Sequence, residues 1–339
     1  MSGLHVFWFV MLGILLTGYA VLDGFDLGVG VLHLFARGDR ERRVLLNSIG
    51  PLWDGNEVWL VTFGGALFAA FPRAYATALS GFYLPVMALL ASLIGRAISI
   101  EFRSKRKERA WRTYWDVSFF LSSTLAVFVM GVMAGHVVRG VPLDEEGEYA
   151  GALADLLTPY PLLVGLLAVA ASAMHGAVYL ALKTEGELLE RVRGWAWRAF
   201  FVFLALYVTV TAATLVTIPH VLVNFRAYPV AWVIVGLNVL AVANVPRALH
   251  HGRPGWAFVS TGALVAALAF LLAMAIFPNL VFDPWHPERS LTVAKAASSD
   301  DTLRLMRVIA FMGLPFIATY TFIVYWVFRG KTKLDTFSY

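Results

Sequence analysis

The chain has 339 residues, 59% of them hydrophobic and only 14% charged, and its mean hydropathy of +0.72 excludes a soluble globular protein and predicts an integral membrane one. With no cysteine, disulfides, thiolate metal sites and iron–sulfur clusters are excluded as well. The sequence pI near 9.4 and formal charge of +5 would suit a nucleic-acid partner, but the positions of the basic residues point elsewhere.

Apolar runs near 20 residues recur along the whole chain and match a hydrocarbon layer of about 30 Å, which predicts spanning helices rather than strands. Nine spans are expected, at roughly 5–34, 50–71, 75–99, 115–138, 160–182, 198–218, 230–246, 256–278 and 305–328. Met1 to Gly3 carries no basic residue and the first run continues into GYAVLDGFDLGVGVL (18–32), so a removable signal peptide is not expected. Most of the 27 Lys and Arg fall after spans one, three, five and seven and in the C-terminal tail. The positive-inside rule then puts the N-terminus outside and the C-terminus in the cytoplasm, which requires an odd number of spans. The most basic connection, EFRSKRKERAWR (101–112), reads as topogenic and attracted to anionic lipid, with no nucleic acid implied. On the opposite side, VPLDEEGEYAGALADLL (141–157) reads as a solvated acidic connector. The longer loop 279–304, containing FDPWHPERS, is free to cover something or meet a partner.

Two spans carry acids where water is scarce. In span one, Asp23 and Asp26 lie three residues apart and so share a helix face, among glycines 24, 28 and 30 that let another backbone approach. In span two, GPLWDGNEVWL (50–60) repeats the spacing with Asp54 and Glu57, beside Asn56. A carboxylate at bilayer depth costs about 2.5–3.5 kcal/mol on insertion scales, so such groups pair, line a wet cavity or carry protons. Taking membrane entry near Asn47, Asp54 is expected about 10 Å inside at 1.5 Å per residue. Arg96 in span three is the natural counter-ion. Residue types alone leave two alternatives equal, a buried structural network and a proton or ion path. Among the histidines, His175, beside Met174, and His136 are the intramembrane candidates for a haem or metal ligand, and a hydrogen-bonding packing role is the simpler reading of each. His33 ends span one, roughly on the face of Asp26, and His250 and His251 lie in a basic loop with Arg247 and Arg253.

The blocks GYAVLDGFDLGVGVL, RERRVLLNSIGPLWDGNEVWLVTFGGALFAAFP and GFYLPVMALLASLIGRAISIEFRSK, followed by HGAVYLALKTEGEL (175–188), closely resemble subunit II of the cytochrome bd family of quinol oxidases, which includes the cyanide-insensitive oxidases. The resemblance is strongest over roughly residues 15–116, and its order and spacing extend to the C-terminus. It implies an all-α integral membrane fold of about nine helices in one transmembrane domain. Residues 1–139 would form a first four-helix bundle with the acidic motifs, 160–278 a second set of helices, and 305–328 a peripheral helix. It implies a prokaryotic plasma-membrane complex in which a partner, subunit I, carries haems b and d and the quinol site, while quinol is oxidised, oxygen is reduced to water and protons are taken from the cytoplasm. This chain would then have no catalytic residue, metal ligand or haem ligand of its own; the resemblance admits a bound quinone and a small accessory subunit. Carried over by residue, Asp54 is expected on a proton path, assisted by Asp26 and Glu57. Glu57 ranks below Asp54 because glutamine also stands there in the family. Asp23, Arg96 and Asn56 are expected in a polar cluster or beside a quinone, Asp23 as a structural partner first, and His175 as a hydrogen-bonding residue. The rival readings are a proton- or cation-coupled transporter and a purely structural scaffold. No inverted repeat with matching broken helices supports the transporter.

Overall fold

The computed structural model describes residues 2–334. α1 (Gly3–Leu32) is followed by a short amphipathic helix, α2 (Gly38–Ile49), and then by α3 (Trp53–Ala70) and α4 (Pro72–Gly81). α5 (Tyr83–Phe102) and α6 (Arg109–Arg139) complete the first half. The second half contains α7 (Pro159–Lys183), α8 (Gly186–Thr217), the single turn α9 (Val223–Ala227), α10 (Ala231–His250) and α11 (Pro254–Ile276). A two-stranded antiparallel ribbon, β1 (Asn279–Val281) and β2 (Leu291–Thr292), leads through α12 (Val293–Ala296) into α13 (Asp300–Val327).

Among the described residues, eight helices are long and apolar enough to cross a membrane; α3 qualifies only together with α4, from which it is bent by 120°. The reason is local: Asp54, Asn56 and Glu57 lower the hydropathy of a helix whose 18 residues still extend about 27 Å. Two expectations change. Residues 75–81 do not begin span three, because they belong to α4, which ends at Gly81, and α5 starts at Tyr83 after a break at Phe82. Asn47 does not mark entry into span two, because it lies in α2 and α3 begins at Trp53; Asp54 therefore stands in the first turn of its helix.

α1 packs against α3, α6, α7 and α11, α6 against α5 and α7, α7 against α8, and α10 against α11, while α13 lies at the margin against α1 and α3. In a bilayer, burying apolar surface does little to draw helices together, so close approach through small residues must do it. At the α1–α7 crossing, Gly28 faces Ser172 and Gly176, and a methyl group on Gly28 would run into the Ser172 carbonyl. α6 and α7 meet in the same way through Gly131, Gly135 and Gly165. Beyond the membrane ends, Val141 N–H donates to the Phe282 carbonyl at 2.8 Å and Leu143 N–H to the buried Asp283 carboxylate at 2.9 Å. The 279–304 loop thus closes over the ends of α6 and α3, where Ser298 Oγ donates to the Ala69 carbonyl at 2.6 Å.

Gly28→Ala should force α1 away from α7 and cost about 1–3 kcal/mol by overpacking, read as a lower inactivation temperature of the detergent-extracted protein. Gly194→Ala, where nothing lies within 4 Å of the added methyl, should leave that temperature unchanged.

Candidate functional site

Where α1, α3 and α5 meet, a helical face that would otherwise be apolar carries four polar side chains toward one interior. Asp23 and Asp26 are both fully buried, as is Arg96, and Asn56 is nearly so. Arg96 grips Asp23 with both terminal nitrogens, Nη1 to Oδ2 at 2.9 Å and Nη2 to Oδ1 at 2.7 Å. This fork geometry is the strong form of a charge-assisted pair. Nη2 also lies 3.0 Å from Glu57 Oε1, and the guanidinium sits 6.0 Å from the Trp53 ring centroid. One cation therefore serves two carboxyl groups on two different helices.

Asp26 has no cation of its own. Its Oδ2 accepts from Asn56 Nδ2 at 2.7 Å, and the same amide nitrogen donates to the Leu22 carbonyl at 3.1 Å. Asn56 Oδ1 accepts from the Tyr325 hydroxyl of α13 at 3.0 Å, so three contacts fix the amide. Asp26 Oδ1 and Arg96 Nε are buried and have no protein hydrogen-bond partner. Buried polar atoms of this kind ordinarily bond ordered water.

Asp54 is not in this interior. It is exposed, one turn ahead of Glu57, and heads a stripe with Val58, Val61, Gly65 and Phe68 at spacings of four and three, all exposed. Glu57 is the turning point, its side chain 23% exposed while its carboxylate reaches inward to Arg96. The two acids of α3 thus separate, one toward the cluster and one outward, although their spacing suggested a common face.

His175 is fully buried between α1 and α11. Its Nε2 lies 3.0 Å from the Val21 carbonyl and so donates; its Nδ1 lies 2.7 Å from Thr261 Oγ1, whose hydroxyl also reaches the Phe258 carbonyl at 3.0 Å. The ring stacks on Phe258 at 4.9 Å. With both nitrogens engaged, His175 does not fit as a haem ligand. His136 Nε2 is held 3.0 Å from the Leu156 carbonyl, and His33 Nε2 lies 2.6 Å from Asp116. Among the described residues, no group of three or more His, Asp or Glu is arranged to hold a metal ion.

Two features lay outside the sequence reading. Tyr325, some 270 residues from Asn56 in the chain, carries no pattern that would have tied it to the acids. Asp116 does carry a signal in the sequence, a lone acid at the start of span four. Nearly fully buried, it takes His33 Nε2, Arg103 Nε at 2.5 Å and Arg42 Nη1 at 2.8 Å. Arg103 also reaches Asp39 at 2.9 Å, as does Arg112. This second cluster ties α2, α5 and α6 to the end of α1, with His33 drawn to it rather than to Asp26.

The family described as cytochrome bd terminal oxidase subunit II matches the chain over residues 4–328. Subunit 2 of the cytochrome bd-I ubiquinol oxidase of Escherichia coli (strain K12) is 36% identical over 364 residues, covering 98% of this chain and 96% of that protein. Subunit 2 of the cytochrome bd ubiquinol oxidase of Bacillus subtilis (strain 168) is 36% identical over 335 residues, covering 98% of each. In fold, the chain is similar to a chain of the bd oxidase from Geobacillus thermodenitrificans, with a TM-score of 0.79 and 18% identity, covering 96% of this chain and 99% of that one.

Asp23→Asn should leave a buried guanidinium without its main partner and cost about 3–5 kcal/mol, whereas adding Arg96→Met should recover most of that loss. Thermal inactivation and extraction yield of the two variants measure this. A single variant as stable as the parent would show that the pair does not hold α5 to α1.

Proposed function

The chain belongs to the cytochrome bd terminal oxidase subunit II family, and on that premise we propose that it is the proton-conducting and stabilising member of its complex. As an accessory subunit of a bd-type quinol oxidase, it is a multi-pass protein of the bacterial plasma membrane, within an enzyme that oxidises quinol and reduces oxygen. In this reading haems b and d and the quinol site belong to subunit I, and His175 is consistent with that division because both of its ring nitrogens are engaged within the chain. The basic ends of α1, α5, α7 and α10 face the cytoplasm, with the N-terminus outside.

One observation carries the proton role. Two carboxyl groups, Asp23 and Glu57, share one guanidinium behind α3, a third, Asp26, is held beside them by Asn56 alone, and a fourth, Asp54, emerges one turn away on the outer stripe of the same helix. A cluster with more carboxyl groups than cations can take up and release protons, and the orphaned atoms Asp26 Oδ1 and Arg96 Nε give water a place to bond. Against lipid, Asp54 would be costly at the head of an apolar stripe. Against a protein partner it becomes a group that hands a proton across the interface. Oxygen reduction consumes protons at a centre walled off by hydrocarbon, so titratable groups or water must bridge the distance. Asp54 supplies the crossing in this reading, with Asp26 and Glu57 behind it, and the Arg96–Asp23 pair fixes their geometry. Stabilisation follows from the same stripe, since a partner that covers Val58, Val61 and Phe68 gains its contact area from this chain.

Asp54→Asn should leave an assembled oxidase with its haems present but lower oxygen turnover and proton uptake at least about tenfold, equivalent to ~1.4 kcal/mol on the barrier; Glu57→Gln should do less. Unchanged turnover and uptake in a haem-complete Asp54→Asn complex would refute the role. Separately, expressing the haem-bearing partner without this chain should yield haem-depleted protein by absorption spectrum, and a full haem complement would count against the stabilising role.

A further inference from the structure

The α10–α11 hairpin bears a cleft of about 270 Å³ lined by Asn244, Arg247, Ala248, His251, Arg253 and Trp256. Its shape is set by the protein. Gly252 holds a positive φ of 63° in the tight connection, and Arg253 N–H donates to the Ala248 carbonyl at 2.9 Å. Asn244 bridges the two helices, its Nδ2 donating to Ser260 Oγ at 2.8 Å, which leaves its Oδ1 to accept from Arg247 Nη1 at 3.1 Å. Arg247 is thereby steered into the cleft from one wall. Arg253 lines the other, just ahead of the first turn of α11, and Trp256 stands beside them, 62% exposed.

Charge separates this place from the other basic ends on the same side of the membrane. There, the buried and half-buried arginines at the helix ends find carboxylates within the chain: Arg42 and Arg103 on Asp116, Arg103 and Arg112 on Asp39, Arg191 on Glu41, while Arg106 and Arg329 lie over tryptophan rings. Between Glu190 and Asp283 the chain has no acidic residue at all. Among the described residues neither Arg247 nor Arg253 has a carboxylate partner, and Arg247's only side-chain contact is the neutral Asn244. A topogenic role accounts for positive charge on this side but not for two guanidinium groups converging on a shaped cleft without a counter-ion. The missing anion has to come from outside the chain. At a hairpin on the membrane boundary, with an exposed indole of the kind that sits at headgroup level, the anion at hand is a lipid phosphate.

We propose that this cleft binds the phosphodiester of an anionic phospholipid. Arg247 and Arg253 take the phosphate oxygens in charge-assisted hydrogen bonds, His251 lines the headgroup side, and Trp256 lies against the glycerol and upper acyl chains. Basic pockets between spanning helices have the chemistry to hold such headgroups. Free inorganic phosphate shares the recognised group but lacks the chains that Trp256 would cover.

The test uses the complete complex, purified in mild detergent, with retained phospholipid extracted and weighed by mass spectrometry. Phosphatidylglycerol should be retained over phosphatidylcholine, and Arg247→Gln and Arg253→Gln should each weaken that retention about fivefold. Lysine at both positions should keep part of it, and Lys107→Gln, in the exposed α5–α6 connection, should change nothing. Equal retention of the two lipids, or unchanged retention in the double glutamine variant, would overturn the proposal. On the unaltered complex, phosphatidylglycerol vesicles should displace the bound lipid where phosphatidylcholine vesicles and millimolar inorganic phosphate do not. Displacement by phosphate alone would identify a free-anion site and reject the lipid.

Discussion

The fork between Arg96 and Asp23 is the contact on which the acidic interior depends. Both groups are fully buried in helices that cross the apolar layer, where separating them would leave a charge with neither water nor partner. That penalty locks α5 onto α1 in one rotational setting. With Arg96 held, its second nitrogen is available to Glu57, which draws the start of α3 toward the same point. Asn56 on the adjoining face then meets Asp26 and the Leu22 carbonyl, and Tyr325 brings α13 against the group. Four helices are oriented by one chain of polar contacts, each limiting the rotation of the next.

Elsewhere in the membrane, shape does what charge does here. Gly28 against Ser172 and Gly176, and Gly131 and Gly135 against α7, let backbones approach until dispersion contacts are dense, the form of cohesion open to helices surrounded by lipid tails. At the water boundary charge returns, in the Asp116 cluster that ties the end of α1 to α2, α5 and α6. The two acidic centres differ in balance. Asp116 is surrounded by Arg42, Arg103 and His33, a closed arrangement suited to holding helix ends. The cluster of Asp23, Asp26 and Glu57 has one arginine for three carboxyl groups, an open arrangement suited to exchange with water and with a neighbour.

α3 divides between the acidic interior and the outer surface. Asn56 and Glu57 look inward while Asp54 leads the exposed stripe of Val58, Val61 and Phe68. A helix with polar groups on one side and an apolar stripe tipped by a carboxyl on the other is suited to sit between an accessory subunit and the subunit it serves. The α10–α11 hairpin, far along the chain from α3, presents its arginines without acids and so faces a different neighbour, the lipid surface.

Much of this was legible in the chain. Runs of about 20 apolar residues admit one solution in hydrocarbon, because every backbone polar group must bond within its own helix, and the number of helices follows from counting such runs. The acidic pairs at three-residue spacing and the lone Arg96 stood out because charge in an apolar run is costly. What could not be read was rotation and partner choice. Asp54 and Glu57 are three residues apart, about 60° around the helix, and nothing local says that the boundary between interior and outer stripe passes between them. Residues 75–81 read as part of span three because they run without a charge into the apolar 83–99; the helix break at Phe82 separates them, and α4 instead follows α3 across a 120° bend. Tyr325 joins Asn56 across most of the chain's length, a contact created by where α13 docks. Hydrophobic periodicity and the cost of buried charge act along the chain, and composition and spacing alone therefore determine a many-helix membrane protein with acids in its first two spans. Which carboxyl meets Arg96, which meets Asn56 and which is left facing outward are set by helix rotation and docking, and those are decided when all the helices pack at once.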